Sequence, residues 1–66
     1  MAFKIKELRD ERRMSQDELA QKSGISRVII SNLETGAANN PTVRTLDKIA
    51  LALGVDVRDL FFDESV

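Results

Sequence analysis

Ser15-Gln16-Asp17-Glu18-Leu19-Ala20-Gln21-Lys22-Ser23-Gly24-Ile25-Ser26 holds one helix start, one helix end and the start of the next within twelve residues. Ser15 followed three residues later by Glu18 is a capping box. The serine oxygen accepts an unpaired N–H of the first helical turn, and the glutamate reaches back to the N–H of the cap. The helix so begun runs from about Gln16 to Ser23, with Leu19 and Ala20 turned inward. Gly24 stands just past its end, where a left-handed residue closes the last turn without side-chain cost. Ser26 caps a further helix almost immediately. Two helices joined by so short a glycine-containing turn cross steeply. Ala20 is small enough to allow the close approach, and Ile25, Ile30 and Leu33 fill the wedge. An αα-hairpin in any small bundle shares parts of this pattern, so the turn alone leaves the function open.

Outward from this join, the punctuation stays helical. The third helix runs from its Ser26 cap, places Ile30 and Leu33 inward, and stops at Gly36. Its Val28-Ile29-Ile30 run is β-branched, but the helical spacing between Ser26 and Gly36 favours a helix over a strand. Upstream, Ile5, Leu8 and Met14 form the sparse apolar stripe of a first helix. Downstream, Thr42 after Pro41 caps a fourth helix with Leu46, Ile49, Ala50 and Leu53 inward, ending at Gly54. Asp56 caps a short fifth helix containing Val57, Leu60 and Phe61, with Phe61 assigned to the core. No segment alternates with the period of a half-buried strand. The expectation is an all-α chain of five short helices, forming a single domain over residues 1–66.

Composition narrows the function classes. A chain of 66 residues buries only about 60% of the surface its unfolded form exposes. Disulfides, a metal or a partner chain are the usual supplements at this size. Cysteine and histidine are both absent, which removes disulfides and the usual zinc and haem ligands and leaves self-association open. No apolar run reaches the roughly 20 residues of a membrane span, and the start lacks the apolar core of a signal peptide. A soluble cytoplasmic location with no membrane partner is expected. No histidine, cysteine or glycine-rich phosphate loop is present, and the serines, lysines and carboxylates are accounted for as caps or solvated charges. No catalytic site, cofactor, metal or small-molecule substrate is therefore expected.

The formal net charge is −1, yet its distribution matters more than its sum. Residues 1–55 carry nine Lys/Arg against seven Asp/Glu, whereas residues 56–66 carry Arg58 against Asp56, Asp59, Asp63 and Glu64. The acidity gathers at the C-terminal end, where it can face away from a polyanion. Lys4, Lys6, Arg9, Arg12 and Arg13 crowd the first segment. Interleaved with Glu7, Asp10 and Glu11, they read by themselves as a solvated helix face.

The run from Met14 to Gly36, Met-Ser-Gln-Asp-Glu-Leu-Ala-Gln-Lys-Ser-Gly-Ile-Ser-Arg-Val-Ile-Ile-Ser-Asn-Leu-Glu-Thr-Gly, resembles the helix-turn-helix of the phage repressor and Cro-like family. Pro41-Thr-Val-Arg-Thr-Leu-Asp-Lys-Ile-Ala-Leu-Ala-Leu-Gly54 resembles that family's fourth helix. The resemblance extends from about Ile5 to Phe61. It implies a lambda-repressor-like domain with its helix-turn-helix in helices 2 and 3. The implied function is a transcription regulator, a repressor ahead of an activator, that binds double-stranded operator DNA as a two-fold homodimer.

The resemblance also implies roles. Arg27, Val28 and Asn32 match positions of the recognition helix, residues 26–35, that read bases in the major groove. Arg27 suits the O6 and N7 acceptors of guanine, Asn32 suits adenine, and Val28 offers apolar contact to a thymine methyl. Gln16 matches the glutamine that touches the DNA backbone from the start of helix 2. Ser26 and Ser31 are expected in phosphate or water-mediated contacts, with Ser26 also read as a plain cap. Arg13, Asn39, Asn40, Thr42 and Arg44 are further backbone candidates, and Arg12 is expected to be as free as Arg13. Arg9 and Glu34 match a structural pair that fixes the recognition helix on helix 1. Ile29 is assigned to the core or to a partner surface ahead of DNA. Phe62 is left as either a lid over the core or a homodimer contact, and Phe3 is similarly open.

Two other classes are weaker. An antitoxin that recruits DNA with this fold needs a toxin-binding segment, and little chain remains after Phe62. An enzyme lacks its chemistry. Room for a separate effector-binding domain is likewise not expected.

Overall fold

The computed structural model describes residues 3–38 and 40–61. Four α-helices follow one another: α1 (Ile5–Glu11), α2 (Gln16–Ser23), α3 (Arg27–Thr35) and α4 (Val43–Leu53). A 3₁₀ turn, Val57–Leu60, closes the described chain. No strand occurs among the described residues. The all-α expectation therefore holds, with the fifth helix reduced to one 3₁₀ turn.

The helix ends lie where the polar caps put them. Glu18 N–H donates to Ser15 Oγ and Ser15 N–H donates to a Glu18 carboxylate oxygen, both at 3.0 Å. Ser26 Oγ accepts from Ile29 N–H at 3.2 Å, and Thr42 Oγ1 accepts from Thr45 N–H at 3.1 Å. Each satisfies a donor that the first helical turn leaves unpaired. Gly24 closes α2 at φ 74°, donating its N–H to Ala20 O. A Cβ at Gly24 would meet no atom within 4 Å. Glycine is needed there for its backbone conformation and not for space.

α2 packs on both α3 and α4, α1 rests on α3, and α4 carries the 3₁₀ turn. Ile5, Leu19, Ile30, Leu33, Ile49 and Leu60 are fully buried where these elements meet, one or two from each. Leu8, Met14, Leu46, Ala50 and Leu53 complete the core, and Ala20 and Ile25 pack against it from the α2–α3 join. The backbone also closes on itself, because Lys4 N–H donates to Leu60 O at 2.7 Å.

Three expectations change. α1 ends at Glu11, so Met14 reaches the core from a loop and not from a helical stripe. Arg13 takes a left-handed φ of 53° in that loop, and the Arg9 guanidinium donates to Met14 O at 2.7 Å. Phe61 is about half exposed, not core. The 3₁₀ turn sends Val57 and Leu60, three residues apart, inward and ends there, while Phe61 follows in extended backbone and stays outside. Phe61 instead meets the Phe3 ring edge-on, with centroids 5.2 Å apart. Ile29 is exposed as well, so it contributes no core side chain.

Candidate nucleic-acid interface

Nine helical residues of α3 divide into two faces. Ile30 and Leu33 point into the core. One helical step away, Arg27, Val28, Ser31 and Asn32 line a shallow groove open to solvent. Their spacing explains the grouping, since residues three and four apart share a helix face. Val28 is 68% exposed, which leaves its methyl groups open to a partner in the groove. The groove thus combines a forked cationic donor, a methyl surface, a hydroxyl and a carboxamide. Those are the groups that distinguish base pairs in the major groove.

The back of α3 is fixed by a polar knot. Arg9 Nε donates to Glu34 at 2.9 Å and its NH2 nitrogen donates to the other carboxylate oxygen at 3.2 Å. The side chains are only 11% and 4% exposed. Gln16 Nε2 donates to the same carboxylate at 2.9 Å. One glutamate at the end of α3 therefore ties down the middle of α1 and the first residue of α2. The hydrogen bond to Glu34 raises the Arg9 pKa above the ordinary arginine value, against an opposing effect of burial. Among the described residues no buried side-chain nitrogen or oxygen lacks a partner, so the knot is paired throughout.

Positions matched to backbone contacts fall into two groups. Arg13, Ser26, Asn40, Thr42 and Arg44 are exposed, and Ser31 is half-buried. The Ser26 and Thr42 hydroxyls already accept from their own helix starts; the Ser26 O–H is left to donate, whereas Thr42 Oγ1 shares a further hydrogen bond with Thr45 Oγ1 at 3.0 Å. Gln16 is half-buried and holds Glu34, a role that the sequence did not disclose. Asn39 and Phe62 lie outside the described residues.

Arg12 departs from expectation. Its Nε donates to Leu53 O at 2.7 Å and its NH1 nitrogen to Leu8 O at 3.0 Å. The guanidinium bridges the last carbonyl of α4 and one in the last turn of α1, the negative ends of both helix dipoles, so Arg12 is not free in the way Arg13 is. No local pattern signals a contact across 41 residues. A second pair was also missed. Arg27 Nε lies 3.6 Å from Asp17 Oδ1, with both side chains well exposed.

Comparisons with known proteins agree with this geometry. A family model described as helix-turn-helix matches residues 5–60. The HTH-type transcriptional regulator SinR of Bacillus subtilis (strain 168) is 35% identical over 57 residues, covering 86% of this chain and 51% of that protein. The immunity repressor protein of Bacillus phage phi105 is 35% identical over 63 residues, covering 96% of this chain and 43% of the repressor. An uncharacterized HTH-type transcriptional regulator of Archaeoglobus fulgidus is 42% identical over 65 residues and is covered over 91% of its length. The chain thus spans about half the length of SinR and of the phage repressor. Among solved structures, the SinR protein/SinI protein complex superposes with a TM-score of 0.86 at 32% identity, covering 94% of this chain and 60% of the other.

Proposed function

The chain belongs to the helix-turn-helix family, a family of regulators and not of enzymes, and from that premise we propose that it is a sequence-specific DNA-binding transcription regulator. It acts as one domain, as a repressor ahead of an activator, on a pseudo-palindromic operator. The observation that carries this reading is the open face of α3, where Arg27, Val28, Ser31 and Asn32 share one groove while the opposite face is locked in place.

In this reading α3 enters the major groove with Arg27 on guanine, Asn32 on adenine and Val28 against a thymine methyl. Ser26, Ser31, Arg13, Asn39, Asn40, Thr42 and Arg44 contact phosphates directly or through water. Gln16 joins them through the second hydrogen of its Nε2, the first being given to Glu34, or through the free backbone N–H at the start of α2. A two-fold homodimer sets two recognition helices about 34 Å apart, one turn of DNA. Phe62 is the proposed dimer contact. Its neighbour in sequence, Phe61, already presents a half-exposed ring paired with Phe3. No described helix is long and apolar enough to cross a membrane, and cytoplasmic action without cofactor or small-molecule substrate completes the proposal.

Binding selection from random duplex DNA, followed by affinity measurement across salt, tests it. A palindromic consensus should emerge, with log K falling against log salt by about 0.9 per phosphate neutralised. Weak binding with no consensus would overturn the reading. Sedimentation of Phe62→Ala tests the dimer contact, and an unchanged mass would remove Phe62 from it.

A further inference from the structure

Arg27 is the one proposed base reader with a charged neighbour from another helix. It is the first residue of α3, yet its Nε lies 3.6 Å from the carboxylate of Asp17, the second residue of α2. Resting on the DNA-binding reading above, we infer that Asp17 is a positioning residue for base recognition, holding the Arg27 guanidinium by its Nε edge so that the far edge is presented to guanine.

The chemistry of the guanidinium supports this division of labour. Its five N–H donors form a planar fork. A carboxylate on the Nε side leaves the two terminal nitrogens for the paired O6 and N7 acceptors of guanine. Without Asp17, an exposed arginine beside a polyanion turns to the nearest phosphate oxygen, which occurs at every base step and carries no sequence information. With Asp17 present, Arg27 already has an anion. Leaving it for a phosphate also strands the Asp17 carboxylate against DNA, where like charges repel. Asp17 therefore lowers affinity on every sequence and lowers it most where guanine is missing. Specificity obtained by penalising wrong partners is a general device of recognition surfaces. The exposure of the pair, 60% for Arg27 and 76% for Asp17, makes it weak in free protein and readily rearranged on binding.

The test uses the full chain, the selected consensus duplex, single-base variants at the guanine assigned to Arg27, and an unrelated duplex. Asp17→Asn keeps the shape and removes the charge. It should raise affinity for the unrelated duplex and steepen its salt dependence by about one phosphate. The preference for guanine should fall about three- to fivefold. In an Arg27→Ala background the same substitution should leave the guanine preference untouched, because the carboxylate then has nothing to hold. A guanine preference unchanged by Asp17→Asn, or changed equally with and without Arg27, overturns the inference. Should Arg27→Ala alone leave the preference intact, Arg27 is no reader and the base assignment itself fails with it. A melting curve for each variant separates these effects from loss of the α2 first turn.

Discussion

Ile30 and Val28 stand two residues apart on α3, and their surroundings differ in every respect that matters. Ile30 has no exposure and packs where α1 and α2 meet α3, whereas Val28 is 68% exposed in an open groove. Glu34 and Arg27 repeat the contrast with charges. Glu34, near the C-terminal end, is 4% exposed and accepts three hydrogen bonds from two other helices. Arg27, at the N-terminal end, is 60% exposed and has one loose ion pair. The same nine residues therefore serve two purposes. Those whose free energy comes from burial hold the helix still, and those left in water are free to exchange water for another partner. A reading helix needs both, because a side chain set on a mobile element cannot hold a base edge in register.

Substitutions that respect this division should separate stability from binding, and the largest effects belong on the inward face. Ile30→Ala should cost about 2–5 kcal/mol through lost transfer energy and the cavity left behind, read as a lower urea midpoint. Val28→Ala, its outward counterpart, should change stability by no more than about 0.5 kcal/mol in the same titration. Comparable losses at both sites would erase the distinction.

Glu34→Ala comes next. It leaves the Arg9 guanidinium largely buried with its carboxylate gone, at a cost of about 3 kcal/mol. Arg9→Ala should match it in chemical denaturation, and the double variant should cost less than the two singles together. Strict additivity would show that the pair does not couple α1 to α3. Because the folded pKa of Arg9 is raised, the stability it lends is fully present below the ordinary arginine range and is lost only in strong alkali. The arginine's share should be flat across neutral pH in a stability titration.

Smaller still is Gly24→Ala, which places a Cβ on a residue at φ 74° with no neighbour within 4 Å. The cost is conformational alone, about 1–2 kcal/mol by thermal melting. A larger loss would point to a crowded turn in place of a strained one.

How much of this was legible in the sequence follows from the range of the interactions. Ser15 with Glu18, Ser26, Thr42, Gly24, Gly36 and Gly54 are local signals, and each helix boundary they mark lies where they place it. The Arg9–Glu34 pair spans 25 residues and was accessible only through family resemblance. The Gln16–Glu34 bond, the Arg12 cap on Leu53 and the Asp17–Arg27 contact were not foreseen. A long polar side chain has many partners within reach, and only the assembled fold selects one. Phe61 was misplaced for a subtler reason. Apolar character signals burial, but the 3₁₀ turn ends at Leu60, and the extended backbone that follows carries Phe61 out of the core.

The outward face of α3, in the proposed role, reads sequence while contributing little to stability. Binding selection and thermal melting of Arg27→Ala, run beside the unsubstituted chain, separate the two contributions. The variant should show an unchanged melting temperature, a loss of about 1–3 kcal/mol on the consensus duplex, and relaxed preference at one base pair of each half-site. An equal loss on every sequence would contradict that role, because Arg27 would then be holding a phosphate and reading nothing.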